Sequence, residues 1–296
     1  MSIPLISVSF CTIRSGWLGN TFRALGQQTM DHDLFEFVVV DDYGDRWSEI
    51  EALAEEHHVN VKYLASKPYH WRSNRQLGNA RNTGFIHCDG ELVVFLDDYS
   101  WVEPNFLSTH WSLYKHMDRA IIGAVQAVEP NYGAVTRKDD LTPVEGSMDE
   151  RLKSVQPQWV KDKCPPGWFW TFNASASLRS IVRVNGYDEE FDCTGEDDID
   201  LGQRMARVGQ QYLYTADPRI VVYHMKHNGG QSRAAPFKPE ECHRVTKELY
   251  DTRYDGSWGL LERNKRREPW KVNEGYFSLK KARKNRDKYP VKEWKL

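Results

Sequence analysis

Residues 195–202 read Gly-Glu-Asp-Asp-Ile-Asp-Leu-Gly, with four carboxylates inside five residues. Like charges this close raise one another's pKa, a cost that folds accept where a base or a cation site is needed. The same acids also suit a helix N-terminus, because negative charge complements the helix dipole there. Leu201, Met205 and Val208 follow at roughly helical spacing. Both readings hold together if the acidic first turn of a real helix faces a cleft. A second acidic pair, Asp97-Asp98, ends the apolar run Leu92–Leu96, and a third, Asp41-Asp42, ends Phe37–Val40. Unbroken apolar runs of this kind are strands buried on both faces, as in a parallel sheet. Open α/β sheets place ligands at the C-terminal ends of such strands.

The elements that would carry these acids alternate. Strands are expected at Ile6–Cys11, Phe35–Asp41, Val61–Leu64, Leu92–Leu96 and Ile121–Val128, with a late strand ending at His224. Helices are expected at Trp17–Gln28, Trp47–His57 and Asn74–His87, with a further one opened by Pro104. Strand-helix alternation implies an α/β fold, with a mostly parallel sheet covered by helices on both faces. Residues 129–167, rich in proline and charge, read as a long functional loop.

Composition bounds the class. The chain has 296 residues, a net charge of −2, and no apolar run near the length of a membrane span. No secretory signal is evident at the N-terminus. Five scattered cysteines without a CxxC pair (Cys11, Cys88, Cys164, Cys193, Cys242) suggest reduced thiols and a cytoplasmic setting. The sequon at Asn173 is then a chance match. The charge is uneven: from Arg263 to Leu296 there are thirteen Lys/Arg against four Asp/Glu, which leaves the rest of the chain at −11. Such a tail can dock on its own acidic body or meet an anionic membrane surface. Its aromatic residues, from Trp270 to Trp294, favour docking. The division expected is a catalytic domain over residues 1–230 and a helical, basic extension over 231–296.

From about Ile6 to His224 the chain resembles glycosyltransferase family 2, whose members have the GT-A fold, which is Rossmann-like, and invert the sugar of a nucleotide-sugar donor. Ile6–Thr12 looks like the opening strand and its nucleotide-contacting end. Val38–Asp42 looks like the second strand, whose second Asp reads the uracil edge. Gly78–Gly84 looks like the Ala-Arg-Asn helix beside the donor, and Phe95–Asp98 falls at the metal-binding DxD position. Asn185–Phe191 followed by Gly195-Glu196-Asp197 looks like the segment carrying the base, and this half is also similar to β-1,4-galactosyltransferases. One departure stands out. Counting back from Pro104, Tyr99 occupies the place of the usual second metal-facing Asp, and Asp98 sits between it and Asp97. Tyr is a poor ligand for Mg2+ or Mn2+.

The resemblance implies roles. Asp197 is the expected base, and Glu196 would position it or bind acceptor hydroxyls. Thr12, Arg14, Asp42, Arg75, Arg81, Asp97 and Asp98 are expected around the donor, with Arg72 a further candidate for the diphosphate. Asp98 and His224 are the candidate ligands of a divalent cation, Mn2+ or Mg2+, with His227 a rival. Trp168 and Trp170 could stack on an acceptor sugar or pack in the core. The implied reaction is hexose transfer from a nucleotide-sugar, a UDP-sugar by expectation, to a hydroxyl of a glycan or other acceptor; nucleic acid is not an expected partner. Two alternatives remain open: a nucleotidyltransferase, or a sugar-nucleotide or glycan-binding protein without catalysis. Sugar, acceptor, linkage and oligomeric state are not set by the sequence.

Overall fold

A computed structural model describes residues 3–12, 18–68, 77–131, 135–154, 164–191, 196–226, 244, 247–251, 268 and 270–296. The first half runs β1 (Ile6–Thr12), α1 (Leu18–Gly26), β2 (Phe35–Asp41), α2 (Trp47–His57), β3 (Val61–Leu64), α3 (Leu77–His87), β4 (Leu92–Asp97), β5 (Ser100–Val102) and α4 (Phe106–Met117). The second runs β6 (Arg119–Gly123), β7 (Val125–Pro130), β8 (Leu141–Met148), α5 (Glu150–Ser154), β9 (Asn173–Ser177), α6 (Leu178–Arg183), α7 (Asp197–Arg207), β10 (Gln211–Thr215) and β11 (Val222–Met225). The C-terminal residues add α8 (Leu279–Lys284) and β12 (Lys292–Trp294).

The large sheet has the order β10-β6-β9-β4-β1-β2-β3-β12. Its heart, β4-β1-β2-β3, is parallel. All seven residues of β2 are buried, which is why its apolar run does not alternate. On one face Phe10, Phe37 and Val39 pack with Phe22 of α1, Ile50 of α2 and Phe106 of α4. On the other, Val38, Val93 and Phe95 pack with Phe85 of α3, Ile181 of α6 and Met205 of α7. Helix α3 is almost wholly buried, lying between the sheet and the C-terminal segment. Gly84 permits that approach: a Cβ there would stand 3.3 Å from Val40 of β2. Register aligns the strand ends, with Thr12 opposite Asp41 and Cys11 opposite Asp97. One sheet edge therefore receives the acidic pairs of β2 and β4.

Three expectations change. The single strand expected over Ile121–Val128 is two, because the chain leaves the large sheet after Gly123. Asn173 drives the break: its Nδ2 donates to the carbonyls of Ala124 (2.8 Å) and Ile220 (2.6 Å), in space that a Cβ on Gly123 would fill. The expected loop over 129–167 contains β8 and α5. There β7 and β8 join β5 and β11 in a second sheet of order β5-β11-β7-β8. Finally, the strand β9 was not expected at all. Its Asn-Ala-Ser-Ala-Ser is buried and runs antiparallel between β4 and β6, so the sequon asparagine is closed to glycosylation.

Residues 270–296 lie on the body. Strand β12 pairs antiparallel with β3, and Leu279 and Ala282 of α8 enter the core against α3. Asn273 donates to the carbonyl of Tyr187 at 2.7 Å, and Arg283 donates to the carbonyl of Phe85. Arg286 pairs with Asp89 at 2.7 Å. No helix among the described residues is long and apolar enough to cross a membrane.

Candidate active site

The acidic pair after β2 divides its work. Asp41 accepts a bidentate ion pair from Arg46, with both contacts at 2.8 Å, and a hydrogen bond from the Tyr63 hydroxyl. It anchors the turn. Asp42 accepts from the Ser66 amide (3.0 Å) and hydroxyl (2.5 Å). Burial raises its pKa against those two bonds. Asp42, Ser66 and Lys67 line a cavity of about 890 Å³ whose far wall comes from the C-terminal segment, through Tyr276, Phe277 and Tyr289. Lys67 also closes a buried ion pair with Glu189 at 2.7 Å and lies over the Phe277 ring.

At the end of β4 the chain makes a tight turn. Asp98 accepts from the Thr12 hydroxyl at 3.2 Å, which ties the ends of β1 and β4 together. Tyr99 has a left-handed backbone (φ 66°), and its side chain is buried in the core. Residue 99 therefore turns away from the sheet edge, and the carboxylates there are those of Asp97 and Asp98.

Arg81 of α3 joins the two halves of the site. Its guanidinium donates to Asp197 (3.1 Å), Asp198 (2.7 Å), Asp97 (3.3 Å) and the Tyr187 hydroxyl (3.2 Å). Burial opposes its charge, but Asp198, Tyr187, Asp97 and Asp197 together hold it above the usual guanidinium value. The sequence pointed Arg81 at the donor; the structure places it among carboxylates. Asp198 had been given no role. It accepts from Arg81, from the Tyr187 hydroxyl (2.8 Å), and from the amide (3.0 Å) and hydroxyl (2.7 Å) of Thr171. Its place within the acidic run was the available signal, together with Tyr187 in the Asn185–Phe191 motif, whereas Thr171 lies outside any motif that could flag it.

Asp197 opens α7, and Glu196 precedes it with a left-handed backbone (φ 63°). Both are buried. Burial, reinforced by Asp198 and opposed by Arg81, pushes the pKa of Asp197 up to about 7. A carboxylate so placed exchanges its proton near neutrality, the property of a general base.

The aromatic candidates differ. Trp168 packs edge-on against Tyr214, with ring centroids 5.4 Å apart. Trp170 lies under the Arg151 guanidinium, 4.6 Å from its ring, and faces a cleft of about 320 Å³ shared with Phe172 and His224. His224 is on β11, opposite Ser100 of β5, and its ring meets Phe172. Arg14, Arg72, Arg75 and His227 lie outside the described residues. Among the described residues, no three His, Cys, Asp or Glu side chains gather as a metal cage. Cys11, Cys88 and Cys164 carry free thiols, and burial pushes Cys88 and Cys164 up to about 12, which leaves them unreactive.

Comparison with known proteins bears on the family and the fold. Glycosyl transferase family 2 matches residues 10–178. Over 221 residues the chain is 26% identical to validoxylamine A glucosyltransferase of Streptomyces hygroscopicus subsp. jinggangensis (strain 5008), covering 69% of this chain and 51% of the relative. The chain thus spans about half the length of the curated relatives it matches. Residues 1–349 of S. aureus TarS, solved in complex with UDP, superpose with a TM-score of 0.55 at 14% identity, covering 84% of this chain and 72% of that one. GalNAc-T7 with UDP, GalNAc and Mn2+ gives 0.58 at 14% identity, covering 86% and 51%. The mannosyltransferase PcManGT of Pyrobaculum calidifontis, with GDP-Man and Mn2+, gives 0.52 at 18% identity, covering 83% and 61%. A family match over more than half of the chain, on a mostly parallel sheet with helices on both faces, shows that this chain belongs to glycosyl transferase family 2 and has the GT-A fold.

Proposed function

We propose that the protein transfers a hexose from a UDP-sugar to an acceptor hydroxyl, with inversion at the sugar carbon. Asp197 carries this reading: a buried carboxylate with its pKa raised to about 7, linked through Arg81 to Asp97 at the end of β4. Glycosyl transfer passes through an oxocarbenium-like state, as glycoside hydrolysis does. The acceptor hydroxyl attacks as Asp197 takes its proton, and the nucleoside diphosphate leaves from the opposite face. One direct displacement inverts the centre and needs no covalent intermediate. Arg81 pairs with Asp97, Asp197 and Asp198, and its charge lowers the pKa of Asp197 against burial and the repulsion of Asp198.

Asp42, with Ser66 and the large cavity beside them, supports a seat for the uracil base, and Thr12 supports a contact at the end of β1. Arg14 and Arg75 are proposed for the diphosphate on sequence alone. Glu196 and Trp170 are proposed on the acceptor side, with Trp168 a packing support behind them. Relatives of this fold hold Mn2+. The donor set suits such an ion: Asp97 and Asp98 are adjacent hard oxygen ligands, so a cation would complete its shell with oxygens of the diphosphate and water. Asp98 would hold it, with His224 as the second proposed ligand. When bound, the cation would neutralise charge growing on the departing diphosphate.

The test is to incubate the protein with UDP-glucose, UDP-galactose, UDP-N-acetylglucosamine and GDP-mannose, with and without Mn2+, and to follow nucleotide release. Slow UDP release without acceptor is expected from at least one donor. Pyrophosphate release would instead identify a nucleotidyltransferase. Preference for GDP-mannose would overturn the UDP assignment, and binding without turnover would remove catalysis altogether.

A further inference from the structure

We infer that the outer face of the docked C-terminal segment is itself a docking surface, and that its partner is a bilayer bearing anionic lipids. Charge is the first argument. Within residues 279–288, six Lys/Arg stand against a single Asp. Helix α8 divides them by face. Leu279 and Ala282 are buried in the core, and Arg283 donates inward to the carbonyl of Phe85. Lys280, Lys281 and Lys284 are left exposed on the other side of the helix. Arg286 and Lys292 are held by Asp89 and Asp45, but no ion pair among the described residues holds these three lysines. Docking on the body therefore uses one face of the basic segment and leaves the other to an external anion.

The aromatic residues around that face are the second argument. Asn185 pins the start of the segment: its Nδ2 donates to the carbonyls of Val272 (3.0 Å) and Phe277 (3.2 Å), and its Oδ1 accepts from the Leu279 amide (2.7 Å). Trp270 lies two residues before Val272, so at most about 7 Å of chain separates it from this anchor at the N-terminal end of α8. Its side chain is 51% exposed. A hollow of about 390 Å³, lined by Tyr276, Lys281, Asn285, Lys288 and Tyr289, opens on the same segment. Indole and phenol rings beside lysines suit the headgroup layer of a membrane, where the rings sit at the acyl boundary and the ammonium groups meet lipid phosphate.

The rest of the chain favours a bilayer over a long soluble polyanion. Residues 1–262 carry a net charge of −11. A flexible polyanion that outruns the basic face meets this acidic body and is repelled, whereas a bilayer approaches from one side only. Each lysine near an anionic bilayer strengthens binding about fivefold, so the three on α8 together supply about a hundredfold.

Co-sedimentation of the full chain with vesicles tests the inference, using phosphatidylcholine alone and an equal mixture of phosphatidylcholine and phosphatidylserine, at low and high salt. The proteins are wild type, the triple variant Lys280→Gln, Lys281→Gln, Lys284→Gln, the matching triple with Arg at each position, and Trp270→Ala. Wild type should bind the mixed vesicles, ignore the neutral ones and be released by salt. Binding should fall about a hundredfold in the Gln triple, persist in the Arg triple and weaken several-fold in Trp270→Ala. All four side chains are exposed, so each variant should melt at the wild-type temperature. A wild type indifferent to phosphatidylserine overturns the inference, as does a Gln triple that binds like wild type. Equal losses in the Gln and Arg triples would show that the lysines serve the fold and not the lipid, and would overturn it too. Tight binding to inorganic polyphosphate with none to the mixed vesicles would replace the bilayer by a soluble polyanion.

Discussion

Replacing Asp197 by Asn should change two measurements at once, in directions that a merely structural residue would not produce. The first is turnover: loss of a general base should reduce UDP release to acceptor by about 10²–10⁴ with donor binding nearly intact. The second is the dependence of stability on pH. The folded pKa of Asp197 is raised from 3.8 to about 7, chiefly by burial and Asp198. A group with a raised folded pKa contributes stability below its unfolded pKa and loses it as pH climbs through the folded value. Each pH unit in that window is worth about 1.4 kcal/mol. Between pH 5 and pH 7 the wild type should therefore lose about 2–3 kcal/mol as the Asp197–Asp198 pair gives up a proton. An amide does not ionise, so the Asn variant should lack that slope and gain relative to wild type as pH rises. Urea denaturation of both proteins at pH 5, 6, 7 and 8 measures the difference, since groups outside the Asp197–Asp198–Arg81 cluster are common to both. Parallel stability curves would refute the burial argument. Wild-type turnover in the variant would remove Asp197 from the mechanism.

Three further outcomes are expected. Lys67→Ala leaves Glu189 buried without its cation and should cost about 3–5 kcal/mol, whereas Lys67→Met paired with Glu189→Gln should cost much less; equal losses by thermal or urea denaturation would show that the pair is not the issue. Removing residues 270–296 should lower the melting temperature and increase dye binding to exposed apolar surface, because Leu279, Ala282 and β12 leave the core and the sheet edge; an unchanged melting temperature with lost binding to anionic vesicles would mark the basic segment as a membrane tether instead. Asp98→Ala and His224→Ala should each weaken UDP binding in Mn2+ but change it little in EDTA, and a wild type indifferent to EDTA would exclude a required cation.

What could be read from the sequence follows from what each signal physically encodes. Runs such as Phe37–Val40 and Leu92–Leu96 announced buried parallel strands because both faces must be apolar, and the acids after them could then be placed on one edge. The same pattern could not distinguish Asp41 from Asp42. Only the fold brings Arg46 to the first and Ser66 to the second. Strand β9 was illegible because Ala and Ser carry little strand signal, and pairing with β4 and β6 on either side holds them there. The Arg81 cluster needed Thr171, Tyr187 and Asp198 to meet across three segments, information that no local spacing contains. Tyr99 read as a substituted ligand, yet a single left-handed residue turns it into the core.

Strand β12 also constrains the order in which this fold can be assembled. Without it, β3 ends the large sheet with its backbone donors and acceptors open, a template for pairing with another chain. The partner that seals this edge comes from the far end of the sequence, so the closing contact has a high loop-closure cost and forms late. Folding should therefore pass through a species with its central strands paired and the β3 edge bare. That intermediate is the state in which aggregation competes with folding. Charged Lys292 and Glu293, both exposed once docked, make the sealing strand itself a poor template for further growth.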